Sequence, residues 1–153
     1  MDLLLDTHIW AWWLSQDSWL KVEEQDGLDR LAAGQQLCLA AISLWEAQMA
    51  YAKGRFQPVG EFEIWLRTAT APEVIRILPI DVPVTLALNG LPRTLSKDPA
   101  DRLIVATARA FPRAGDARQK HSAVARGQAL ETMIWRSAGC GDMLSVPPEG
   151  EIL

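Results

Sequence analysis

The sequence predicts an α/β fold built on a parallel sheet, and three observations carry that expectation. Short apolar runs such as those of "DLLLD" and "LCLAAIS" read as strands buried on both faces. Longer stretches with helix signals separate them, in the order β-α-α-β-α-α-β-α-α. Carboxylates follow the strands, at the edge where parallel sheets place their sites.

The elements follow in turn. "DLLLD" reads as a strand ending at Asp6. "THIWAWWLSQ" carries apolar residues at 9, 10, 12, 13 and 14, too continuous for an exposed strand and suited to a helix. Residues 17–35 are polar and helix-friendly and stop at Gly34. "LCLAAIS" is a second strand. "SLWEAQMAYAKGR" is a helix, with Ser43 as its N-cap and Lys53-Gly54-Arg55 as its stop. Pro58 and Gly60 mark a loop, and "EFEIWLRTATA" is a helix halted by Pro72. "EVIRILPI" is a third strand. "VPVTLALNGLP" is a short helix begun by Pro83 and closed by Asn89-Gly90, and "RTLSK" is a loop. "DPADRLIVATARAF" is a helix with Asp98 at the N-cap, Pro99 at its first position and Pro112 as its stop.

With 153 residues, 49% apolar and 22% charged, the chain suits one domain with a packed core rather than disorder. Two cysteines, Cys38 and Cys140, sit in no metal-binding spacing, which fits a reducing cytoplasm and no disulfide scaffold. The N-terminus lacks a basic region, and Asp2 and Asp6 interrupt its apolar run. Neither a signal peptide nor a membrane span is expected. The net charge of −4 does not advertise nucleic-acid binding, but it is unevenly spread. Residues 1–90 hold 6 basic and 12 acidic side chains, while residues 91–136 hold 9 basic and 4 acidic. On charge alone, the basic part reads as a solvated face.

Asp6, Glu46, Asp98 and Asp101 are the candidate site residues. Read singly, each has a structural explanation. Asp6 and Asp98 cap helices, Ser43-x-x-Glu46 matches a capping box, and Asp101 sits where the helix dipole favours an anion. Read together, they fall on one rim of one sheet. Carboxylates gathered without thiolates suit a hard cation such as Mg²⁺ or Mn²⁺, which can activate water for phosphoryl displacement.

"LLLDTHIWAWWL", "ISLWEAQMAYAKGR", "LPID" and "KDPADRLIVATARA" resemble the PIN-domain family, in its VapC branch, over residues 1 to about 110. The resemblance implies a PIN-like, flavodoxin-like three-layer α/β/α sandwich with a parallel sheet. It implies a Mg²⁺-dependent (or Mn²⁺-dependent) endoribonuclease, the toxin of a type II toxin–antitoxin pair. It further implies an RNA substrate, a VapB-type antitoxin bound in a groove of N-terminal helices, and a homodimer. Asp6 and Asp101 match metal ligands. Glu46 matches the second acidic position, and Asp98 a neighbouring aspartate outside the first ring of ligands. Thr7 matches a small hydroxyl residue that orders the site. The remaining residues are read conservatively: His8 as a helix-start histidine with a local hydrogen bond, Arg102 as a partner of a site carboxylate, Lys53 and Arg55 as complements of a helix dipole. Trp10, Trp12, Trp13, Trp45 and Trp65 are assigned to the core.

The family continues after its long helix with a strand and Thr-x-Asp, whereas this chain reads "FPRAGDARQKHSAVARGQALETMIW". Asp116 lacks that context and is not assigned the fourth acidic position. Read one base later, codons for Gly115–His121 permit Thr-x-Asp, so a frameshift near Phe111–Ala114 is the expectation. An alternate coding frame without that motif sinks the idea. Residues 1–112 are then the domain core, and 113–153 a divergent, loosely ordered segment. The alternative reading is a catalytically impaired module that still binds its antitoxin.

Overall fold

The computed structural model describes residues 2–15 and 20–111. The elements are β1 (Leu3–Leu5), α1 (Thr7–Leu14), α2 (Val22–Ala33), β2 (Leu37–Ala40), α3 (Ile42–Ala52), α4 (Phe62–Ala69), β3 (Arg76–Leu78), α5 (Val82–Asn89) and α6 (Pro99–Ala110). Their order is the one expected. The expectations for Asp116, the frameshift and residues 113–153 lie outside the described residues.

The strands form a parallel sheet in the order β1-β2-β3, with Leu4 opposite Cys38 and Leu39 opposite Ile77. Alternate residues feed opposite faces. Leu5, Leu37 and Leu39 join one cluster with Ile9, Trp10, Leu28 and Trp65, from α1, α2 and α4. Leu4, Cys38, Ala40 and Leu78 join another with Ile104 of α6. Helices therefore cover both faces, which is why the strands carry no polar alternation. Trp10 is fully buried and its indole N–H donates to the Ala69 carbonyl, 3.2 Å away, so its one polar atom is satisfied. Val84 and Leu91 pack against Ala106, tying α5 to α6.

Several boundaries differ from expectation: β3 keeps only Arg76–Leu78 of residues 73–80, and α5 starts at Val82, before Pro83, with Asp81 as its N-cap. β2 ends at Ala40, and α3 starts at Ile42 with Ala41 as its N-cap. Ser43 is thus inside the helix, fully buried, and caps nothing. At the end of α2, Gly34 is the C-cap but has φ −83°; the left-handed residue is Gln35, at φ 53°. Gln35 N–H bonds Ala32 O and Gln36 N–H bonds Leu31 O, the paired closure of a Schellman turn.

The end of α3 closes the same way, with a glycine in the left-handed place. Gly54 has φ 68°, its N–H bonds Tyr51 O, and Arg55 N–H bonds Ala50 O. A Cβ on Gly54 meets no atom within 4 Å, so only the backbone conformation opposes a larger residue. Gly54→Ala is expected to cost about 1 kcal/mol, and Gln35→Gly to gain about 0.5–1 kcal/mol. Urea unfolding checks both. Equal stability for all three proteins would contradict the turn geometry.

Candidate active site

Three chain segments meet at the C-terminal edge of the sheet. Asp6 follows β1 directly, is 6% exposed, and caps α1: its carboxylate accepts the His8 N–H at 3.1 Å. The same oxygen lies 3.3 Å from His8 Nδ1. The second segment is the N-terminal half of α3, which supplies Ser43 and Glu46. The third is the start of α6. There Asp98 accepts the Ala100 N–H at 2.8 Å as N-cap, and Asp101 lies in the first turn.

A side-chain hydroxyl orients each of the two remaining carboxylates. Thr7 Oγ1 donates to Glu46 Oε1 at 2.5 Å and lies 2.8 Å from Ser43 Oγ. A threonine hydroxyl has one proton, so while Glu46 is ionised Ser43 is the donor in the second contact. The Glu46 side chain therefore reaches across to Thr7, and the capping box expected from Ser43-x-x-Glu46 does not form. Ser96, itself buried, donates to Asp101 at 3.2 Å and accepts the Asp98 N–H at 3.1 Å.

The four carboxylates are not independent. Burial raises the Glu46 carboxyl, the Thr7 hydrogen bond opposes this, and the charges of Asp6 and Asp101 push it further, to about 7. Burial also raises Asp101, helped by Asp98 and Asp6, to about 6. For His8, burial favours the neutral ring. The Asp6 hydrogen bond and the charges of Asp6, Glu46 and Asp101 outweigh it and leave the imidazole above its usual value. Glu46 senses Asp6 and Asp101, and Asp101 senses Asp98 and Asp6, across segments up to 95 positions apart. Crowded like charges of this kind mark functional sites.

Among the described residues, no three His, Cys, Asp or Glu side chains close on a point that could hold a metal ion. In this arrangement Asp6 accepts from His8, Glu46 from Thr7, Asp98 from its own helix and Asp101 from Ser96. Beside them lies an open cavity of about 270 Å³, lined by Thr7, His8, Trp45, Glu46, Lys53, Arg55 and Asp98 among others.

Two expectations are corrected here. Arg102 does not pair with a site carboxylate; its guanidinium donates to the backbone carbonyls of Pro92 (2.8 Å), Leu91 (3.3 Å) and Ser96 (3.5 Å). It staples the 91–96 loop to α6 and so steadies the hydroxyl that holds Asp101. Trp45 is 56% exposed, whereas Trp10, Trp12, Trp13 and Trp65 are core residues at 6% or less. On α3 the buried positions are Ser43 and Ala47. Residue 45 stands two positions from each, about 200° around the helix, and so faces outward. Only the spacing to Ala47 and Ser43 hinted at this, against the pull of its apolar identity.

A family model for the PIN domain matches residues 3–111. The chain is 31% identical over 106 residues to "Ribonuclease VapC22" of Mycobacterium tuberculosis (strain ATCC 25618 / H37Rv), spanning 69% of this chain and 78% of that protein. No solved structure matches significantly. Among the described residues, no helix is long and apolar enough to cross a membrane. Matched over most of its length, with the parallel α/β core already described, the chain belongs to the PIN-domain family, in its VapC-type branch.

Proposed function

We propose that the protein is a divalent-metal-dependent endoribonuclease, the toxin of a type II toxin–antitoxin pair, in which Asp6 and Asp101 hold Mg²⁺ or Mn²⁺. The observation that carries this reading is the meeting of Asp6, Glu46 and Asp101 at one sheet edge, where burial and then their neighbours' charges raise Glu46 and Asp101. The donor set suits a hard cation, being carboxylate oxygen without thiolate. Mg²⁺ uses one or two carboxylates and keeps several waters, so two aspartates suffice without a closed cage. When bound, such an ion supplies Lewis acidity, lowering the pKa of water and offsetting charge on phosphoryl oxygens.

The chain's own groups do the rest. Glu46, raised first by burial and then by the charges of Asp6 and Asp101, is placed to accept a proton from attacking water, and a bound cation would favour its ionised form. Thr7 fixes the direction of that carboxylate, and Ser96 that of Asp101. Asp98 holds the end of α6 and adds negative potential at Asp101. A relative named as a ribonuclease supports RNA as the substrate. The family likeness supports a VapB-type antitoxin partner, a homodimer and a cytoplasmic setting.

The test is cleavage of a labelled single-stranded RNA by purified protein with Mg²⁺ or Mn²⁺, and none in EDTA. Folded protein that leaves RNA intact with either ion defeats the nuclease reading. It would favour a catalytically impaired, antitoxin-binding module, a reading for which one observation speaks: no Thr-x-Asp follows α6.

A further inference from the structure

We infer that the cavity beside the carboxylates is a nucleotide subsite, with Trp45 as the platform for one unpaired base and Lys53 and Arg55 as anchors for the adjoining phosphate. This rests on the nuclease reading above and extends it to substrate positioning.

Four observations converge. Trp45 is the outlier among the described tryptophans, more than half exposed, and it lines this cavity next to Glu46. An exposed indole face stacks on any base, which makes such a residue a sequence-tolerant platform for single strands. Lys53 and Arg55 also line the cavity, and neither side chain makes an ion pair or hydrogen bond with a described residue. Among the described residues nothing competes with a phosphate for their charges. Finally, the Gly54 turn fixes the backbone between them, so both basic residues leave the helix end at a set angle.

Spacing and charge agree with this assignment. Glu46 and Lys53 are seven residues apart along α3, about 10 Å of helix rise. A strand whose reacting phosphate lies at the carboxylates thus reaches the cations with a neighbouring phosphate. The acidic rim repels the RNA backbone, and cations two helical turns away supply the attraction that the rim lacks. The cavity lies near the lower end of the small-ligand range, roughly 300 Å³. That is a space for one nucleotide and not for a duplex, in which bases are already stacked on each other. The exposed tryptophan and the helix-closing basic pair thereby gain one shared role.

The test measures binding apart from cleavage, by fluorescence anisotropy of a 5′-fluorescein oligouridylate in Ca²⁺, with probe integrity checked on a gel. Trp45→Ala is expected to weaken binding by about 5- to 150-fold, and Trp45→Phe to keep most of it. An abasic residue at one probe position should remove the effect of Trp45→Ala, because base and indole act as one coupled pair. Lys53→Ala with Arg55→Ala should reduce the slope of log affinity against log salt by about 0.7 for each phosphate that is no longer neutralised. Trp45→Ala should leave that slope unchanged. All three side chains are exposed, so thermal melting should stay within a degree or two of wild type. If wild type cleaves RNA and all these variants bind it with wild-type affinity and slope, the subsite is refuted and the nuclease stands. Trp45-dependent binding without any cleavage supports the subsite and defeats the nuclease. Folded wild-type protein that binds no RNA defeats both.

Discussion

Asp101→Asn is expected to lower metal-dependent RNA cleavage by about a thousand-fold while stabilising the metal-free protein. On the proposed reading the loss follows from removing a metal-facing oxygen charge where several kcal/mol of transition-state stabilisation originate, each 1.4 kcal/mol being tenfold in rate. The gain follows first from the burial of Asp101, which disfavours its charge, and then from crowding. Asp101 is one of the charges that raise Glu46, so a neutral amide in its place relieves repulsion at neutral pH. The amide oxygen can still accept from Ser96, so the loop stays tied to the helix. Asp6→Asn should lose cleavage likewise while keeping the helix cap, since asparagine also caps a helix, whereas Asp6→Ala should lose about 1 kcal/mol with the cap as well. Single-turnover cleavage and thermal melting of the same preparations check the pair of effects. Activity within tenfold of wild type would remove Asp101 from the metal site.

The metal-free protein is also expected to be more stable at about pH 5 than at about pH 8. Glu46 rises from 4.5 unfolded to about 7 folded, and Asp101 from 3.8 to about 6. A raised carboxyl favours the folded state while it is protonated. The contribution is complete below the unfolded values and is lost as pH climbs through 6 to 7. His8, also raised, loses its Asp6 pairing in the same direction. Both carboxyls are partly exposed, so the combined difference after screening is on the order of 2 kcal/mol. Mg²⁺ or Mn²⁺ should recover most of it at pH 8, where the carboxylates are ionised, and little at pH 5. Denaturant melts in EDTA across this range provide the measurement, and Glu46→Gln should flatten the profile. A flat wild-type profile would mean that neither burial nor the neighbouring charges raise these carboxyls.

The sequence makes the skeleton of this fold legible because strands buried on both faces leave unbroken apolar runs, and Pro99, Gly54 and Asp98 punctuate helices locally. It also places Asp6, Glu46, Asp98 and Asp101 on one rim, since a parallel sheet sends every strand end the same way. What it conceals are contacts between distant residues. Ser43 looks like a cap, but its hydroxyl meets Thr7, 36 positions away. Arg102 looks like a partner for acids, yet it finds three loop carbonyls exposed by the turn after α5. Trp45 looks like core because indoles usually are, and only the orientation of α3 turns it outward. Local rules decide where elements begin and end; the tertiary arrangement decides which face of each is used.

The loop stapled by Arg102 has a consequence for the order in which the molecule is made. Asp98, Ser96, Asp101 and Arg102 form a unit whose bonds all lie within eleven positions of sequence. Such local closures form early and cheaply. The union of that unit with Asp6 and Glu46 is the long-range step, and long-range pairings form late. During translation, Asp6, Thr7 and Glu46 emerge far ahead of Asp101. A nascent chain therefore carries only part of the acidic rim through most of its synthesis, and the site comes into being with the docking of its last described helix.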